Sequence, residues 1–196
     1  MSFQPNVLKI QLPEWINKFL TEHQRHFSSI DDRMSFVIEA ARRNVAHGTG
    51  GPFAAAVLET ESGKVVSLGV NLVISGGLSF LHAEILALAL AQKKLGSYDL
   101  SRHDFPAHEL VTSTEPCAMC LGAIPWSGVR RVISGARDSD ARDIGFDEGP
   151  KIEEWRSELD KRGIATLCDV RRDDAVQVLR SYSLQGGEIY NSRESG

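Results

Sequence analysis

The sequence predicts an α/β protein: one three-layer α/β/α domain around a largely buried central sheet of about five strands. Runs with helical spacing alternate with β-rich runs along the chain, the pattern of a layered α/β fold. The helical runs are stopped by Gly48 to Gly51 and by Gly96. A chain of 196 residues is long enough for one well-buried core and short for two. An apolar share of 42% and a charged share of 24% are those of an ordinary globular protein.

Residues 1–30 hold Pro5, Pro13 and aromatics without a clean period, and are predicted to be an irregular or short-helical N-terminal extension ahead of a catalytic domain spanning 31–196. From Asp31 or Asp32 as N-cap, Met34, Val37, Ile38, Ala41 and Val45 keep helical spacing. "FAAAVLE" and "KVVSLGVNLVI" are β-rich runs joined by "TESG", a hairpin signal. "HAEILALALAQKKLG" is rich in helix formers, with His82 in its first turn. "ELVTST" reads as a strand, and Pro116 suits the first turn of a helix running through Cys117 to about Trp126. "VRRVISGA", "EEWRSELDKRG", "IATLCDV" and "DDAVQVLRSYSL" continue the rhythm as strand, helix, strand and helix.

A formal net charge of −4 gives no general pull toward polyphosphate, which disfavours nucleic acid as a partner. Met1 to Leu12 lacks a basic stretch followed by a long apolar one, and the longest apolar run, Ile85 to Ala91, is too short to span a bilayer. The expectation is a cytoplasmic protein without a membrane partner. Three cysteines cannot all pair. Cys117 and Cys120 stand in C-x-x-C spacing, which in a reducing compartment suggests metal or redox chemistry, and Cys168 reads as a buried strand residue.

The strongest signal joins "LHAEILAL" to "TEPCAMCLGA": His82, Glu84, Cys117 and Cys120, the H-x-E…P-C-x-x-C spacing of zinc-dependent nucleobase deaminases. Cys117 and Cys120, three apart on a helix, project their sulfurs from one face, and the helix N-terminus favours thiolate. His82 makes three protein ligands, the count that leaves a fourth tetrahedral position for water. Glu84, two residues past His82, stands beside that water as a proton carrier. A redox pair would usually follow the first strand of its fold. A structural zinc would want a fourth ligand, and none of His23, His26, His47, His103 and His108 has ligand-like spacing.

With "GGPFAAAV", "GVNLV", "HAEILAL", "TSTEPCAMCLGAIPWSGV" and "IGFDEGP" in this order, the chain resembles the cytidine-deaminase-like superfamily from about Met34 to the C-terminal "IYN". Within that superfamily it resembles the bacterial guanine deaminases and their ammeline-active relatives, to which "GFDEG" looks specific. The resemblance implies a mixed central sheet, a Zn2+ cofactor, and hydrolysis of guanine to xanthine and ammonia, with ammeline as a further candidate substrate. It implies Glu148 as a second catalytic acid that protonates the departing amine, with Asp147 shaping the turn. It also implies substrate contacts from Asn71, Phe53, the Ala83 amide, Trp126 and Tyr190, and a homodimer whose C-terminal tail is swapped in some members. A guanosine deaminase and a tRNA adenosine deaminase are the alternative enzymes; from Gly149 onward, eight Lys and Arg against nine acids offer no evident RNA grip. A catalytically dead, partner-binding member would have no need of Glu84.

Overall fold

A computed structural model describes residues 5–23 and 26–191. Residues 1–4 and 24–25 of the predicted extension, and the tail beyond Asn191, lie outside the described residues. In chain order the elements are α1 (Trp15–Glu22), α2 (Ile30–Ala46), β1 (Ala54–Glu59), β2 (Val65–Val70), α3 (Val73–Gly76), α4 (Ala83–Leu95) and β3 (His108–Thr114). They continue with α5 (Ala118–Ser127), β4 (Arg131–Ala136), α6 (Asp138–Asp143), α7 (Trp155–Asp160), β5 (Ala165–Leu167) and α8 (Arg172–Leu184). The five strands form one mixed sheet in the order β2-β1-β3-β4-β5. β1 runs antiparallel to β2 and β3, and β3, β4 and β5 run parallel.

The pleat divides the core into two layers, because successive strand side chains point to opposite faces. Ala54, Ala56 and Leu58 pack with Met34 and Val37 of α2 and Val178 and Leu179 of α8. Ala55 and Val57 pack on the other face with Ala87 of α4, Ile124 of α5 and Trp155 of α7. The α/β/α layering and mixed sheet expected from the sequence are therefore both present. α4 approaches β2 closely because position 69 is glycine: a Cβ there would lie 2.3 Å from the Ala83 carbonyl oxygen and 2.5 Å from the Ala87 nitrogen. That approach sets the height of the first turn of α4 above the sheet.

The N-terminal extension takes the short-helical form, α1, which buries Ile16 and Phe19 in the same core as the sheet. Three local expectations are corrected. The N-cap of α2 is Ser29 rather than Asp31 or Asp32; its hydroxyl accepts from the Asp32 amide at 3.0 Å. β2 stops at Val70 and "VISG" winds into α3, where the Asn71 side-chain oxygen accepts from the Val73 amide at 3.3 Å. His82 and Cys117 are the N-cap residues of α4 and α5 rather than members of their first turns.

At the β3 end remote from the site, Glu109 is fully buried and receives Arg33 Nη1 at 2.6 Å and Arg131 Nε at 2.7 Å. Arg33 also donates to the carbonyls of Phe27 and Thr60, which ties the chain before α2 to the sheet. The carboxyl ends of β3 and β4 meet the amino end of β1 at the opposite edge. In open α/β sheets this is the edge outside which ligands bind.

Candidate active site

Two helix N-termini converge at that edge. His82 caps α4 and Cys117 caps α5, each in extended backbone, while Cys120 lies one turn into α5. The donor atoms of His82, Cys117 and Cys120 all fall within 4.8 Å of one another, and Cys117 Sγ lies 3.4 Å from His82 Nδ1. Tetrahedral zinc with Zn–S near 2.3 Å and Zn–N near 2.0 Å would place such a pair about 3.5 Å apart, so spacing and donor chemistry both fit that ion. Cys120 is fully buried and Cys117 nearly so. A hydrogen bond from Cys120, with help from His82, drives the Cys117 thiol down to about 4, the thiolate a metal needs. Sharing that proton with Cys117, and then burial, push Cys120 up. Burial, the largest influence on His82, pulls it down; the Cys117 hydrogen bond and the surrounding anions outweigh it and leave it raised.

Glu84 sits buried in the first turn of α4, facing the cavity. Thr112 of β3 donates to its Oε1 at 3.0 Å, and Cys120 Sγ lies 3.4 Å from its Oε2. Burial first, then the Cys117 charge, raises its pKa. Glu148, from the loop after α6, is 7% exposed, and its carboxyl makes no hydrogen bond to the described residues. Burial first, then the charges of Cys117, Glu84 and Asp138, raises it from 4.5 to about 8. Asp147 beside it keeps its side chain 61% exposed, and its Oδ1 accepts from the Gly149 amide at 2.9 Å.

Phe53, Asn71, His82, Glu84, Cys117, Glu148 and Tyr190 line one cavity of about 180 Å³. Asn71 is buried and donates through Nδ2 to the Tyr190 hydroxyl at 2.6 Å. Tyr190 stands edge-on to Phe146 at 5.1 Å and to His82 at 6.5 Å, and Phe53 stands edge-on to Phe146 at 4.9 Å. Tyr190 thus reaches the pocket of its own chain, secured by Asn191, which donates to the Gly145 carbonyl at 2.8 Å and accepts from the Asp147 amide at 2.9 Å. Ala83 is buried between His82 and Glu84 as the first residue of α4, where an N–H has no partner within its helix.

Trp126 is not among the cavity walls. It is 85% exposed on α5 and lines a separate groove beside Trp155. Six residues past Cys120, it is about 240° around the helix from the metal-facing side, whereas Ile124, four past Cys120, is fully buried. Cys168 is half-buried just beyond β5 and is not part of the donor set formed by His82, Cys117 and Cys120.

Sequence reasoning missed Thr112, Phe146 and Glu115. Phe146 lies inside the quoted "IGFDEGP" and forms the pocket's aromatic centre. Glu115 is buried in the pocket wall, where Lys151 Nζ at 3.2 Å, Arg156 Nη2 at 2.9 Å and the Asp138 amide at 3.2 Å converge on it. Its place immediately before Pro116 was the only available signal.

Residues 28–136 match the model of the cytidine and deoxycytidylate deaminase zinc-binding region, more than half of the chain. The chain is 47% identical to NE0047, solved in complex with 2,6-diaminopurine, over 96% of this chain and 98% of that one, with a TM-score of 0.89. A guanine deaminase structure from Nitrosomonas europaea is 45% identical over 93% of this chain and 100% of that one, with a TM-score of 0.88. The guanine deaminase of Bacillus subtilis is 38% identical over 111 residues, 57% of this chain and 67% of that protein.

Proposed function

The chain belongs to the cytidine and deoxycytidylate deaminase family of zinc aminohydrolases, and from that premise we propose that it is a guanine deaminase, converting guanine and water to xanthine and ammonia. The observation that carries this reading is a second buried carboxyl group, Glu148, sharing one small cavity with Glu84 and the metal-donor set. Its nearest support among relatives is the pair of guanine deaminases and the purine-analogue complex.

Zinc held by His82, Cys117 and Cys120 supplies Lewis-acid activation of water. Glu84, oriented by Thr112, takes a proton from the attacking water and delivers it to the ring nitrogen next to the amine-bearing carbon. A carbon bearing both hydroxyl and amine results, and the amine leaves poorly unless protonated. Glu148, whose burial favours its protonated form, holds the proton that the amine requires. The C–N bond breaks, ammonia departs, and the proton released as the new hydroxyl becomes a carbonyl returns to the relay. Asn71 offers a donor and an acceptor to the lactam edge of the purine, and Phe53 and Phe146 wall the base on one side. The Ala83 amide serves the substrate carbonyl.

A cavity of about 180 Å³ lies below the roughly 300–1,000 Å³ of sites for drug-sized ligands, which favours a bare base over a nucleoside. Ammeline, a single aminated ring, is the second proposed substrate, and the proposed setting is a cytoplasmic homodimer. No helix among the described residues is long and apolar enough to cross a membrane. Ammonia release across guanine, guanosine, ammeline, adenine and cytosine, run beside a zinc assay, tests the reading. Activity confined to adenosine in tRNA would replace it.

A further inference from the structure

Asn44 on α2 is fully buried and is not itself a wall of the cavity. Its Nδ2 donates to two backbone carbonyls, Gly51 at 2.9 Å and Asn71 at 2.8 Å. Its Oδ1 accepts from the Thr49 hydroxyl at 2.7 Å, and that hydroxyl oxygen accepts from the Trp15 indole N–H at 3.1 Å. Donor and acceptor senses agree at every link: the indole donates, the hydroxyl accepts and donates, and the amide accepts once and donates twice. The chain of bonds starts on α1 and ends on the two backbone segments that carry Phe53 and Asn71. Those segments are in direct contact, since a Cβ on Gly50 would lie 1.9 Å from the Asn71 carbonyl oxygen, and the Asn71 amide donates to Phe53 O at 3.0 Å.

From this relay we propose that the N-terminal helix is a positioning element for the base-binding pocket, with Trp15, Thr49 and Asn44 as positioning residues that act through Asn71. The inference rests on reading Asn71 as a substrate contact. α1 packs against the core through Ile16 and Phe19 and presents Trp15 to Thr49, stacked on His47 at 5.5 Å. Asn44 then converts that docking into a fixed distance between two pocket walls. A loop displacement of a fraction of an ångström at Asn71 weakens recognition of the base while leaving the zinc ligands, on α4 and α5, where they are.

Thr49 is half-buried, so Thr49→Val swaps a methyl for the hydroxyl without opening a cavity, and Thr49→Ser keeps the relay. We expect Thr49→Val to raise KM for guanine about tenfold with kcat within about twofold and zinc content unchanged, roughly the effect of one lost hydrogen bond. Thr49→Ser restores KM, and in an Asn71→Ala background Thr49→Val adds no further loss. Hydrogen exchange at the Asn71 amide speeds up in Thr49→Val and not in Thr49→Ser. Unchanged exchange at Asn71, or equal behaviour of the Val and Ser variants, overturns the inference. Should the wild type release no ammonia from guanine, the proposed function fails while the exchange comparison still decides this point.

Discussion

Glu148→Gln separates the stability cost of a buried acid from its use. The substitution replaces the carboxyl by an amide of the same size at a position that is 7% exposed. Burial, followed by the charges of Cys117, Glu84 and Asp138, raises the folded-state pKa from 4.5 to about 8. A carboxyl with a raised folded pKa binds more protons folded than unfolded, so it lowers stability as pH rises from about 4.5 to about 8. At pH 7 the span is about 2.5 units at 1.36 kcal/mol each, or about 3 kcal/mol. Metal-free Glu148→Gln should therefore be about 3 kcal/mol more stable than the metal-free wild type at pH 7, and of equal stability at pH 4, where both side chains are neutral. Zinc bound at Cys117 offsets the second-largest cause, so the gain shrinks in the loaded enzyme. Turnover of the loaded variant should fall by roughly 10²–10⁴, the usual worth of a general acid. Urea midpoints at the two pH values, beside ammonia release, read both effects. Equal midpoints at pH 7, or a fully active variant, would refute the placement of a neutral, proton-donating Glu148.

Three further outcomes follow from the same geometry. Glu84→Gln should keep zinc near one equivalent by metal analysis while turnover drops by at least about 10², since the proton carrier is lost and the ligands are not. Gly69→Ala, whose Cβ would lie 2.3 Å from the Ala83 oxygen, should lift the first turn of α4, weaken zinc retention against a chelator and lower activity; normal retention would mean that α4 has slack. Glu109→Ala should cost roughly 3–5 kcal/mol by denaturant unfolding, because it strands the buried Arg33 guanidinium in the core and takes the carboxylate from half-buried Arg131, yet the zinc content of the folded fraction should stay normal.

The zinc set was legible because its determinants are local. His82 and Glu84 are two apart, Cys117 and Cys120 three apart, and each pair stands at a helix start that the composition announces. The sheet was legible for the same reason, since its five runs are β-rich over several residues each. β5 forms only three residues of strand, exposed at two of them, because it pairs at the sheet's edge. α6, "DSDARD", escaped notice because it has no apolar stripe; its stability comes from capping, with Arg137 N donating to Asp140 at 2.7 Å. The contacts of Glu115, Asn44 and Thr112 join residues 23 to 41, 7 to 27 and 28 positions apart, and no spacing rule reaches across such gaps. Trp126 was assigned to the pocket by resemblance alone, and the helical phase of α5 turns it outward.

"IGFDEGP" shows how adjacent acids acquire opposite fates. Gly145 and Gly149 adopt positive φ, 105° and 70°, values that side-chain-bearing residues rarely take. The tight loop they permit is pinned at both ends, by Asn191 on Gly145 and Asp147 and by Arg142 Nη2 on the Gly149 carbonyl at 2.9 Å. Within it Asp147 turns its carboxylate to the Gly149 amide, while Glu148 is driven inward, where its carboxyl makes no hydrogen bond to the described residues. Left alone, a buried unpaired acid is a defect of several kcal/mol. Beside a metal-donor set and a second buried acid, the same burial favours the protonated form of Glu148, the form that can donate. The loop is therefore best understood as a structure whose rigidity sustains an unfavourable ionisation equilibrium, and the clamps around it are as necessary to the proton relay as the carboxyl they hold.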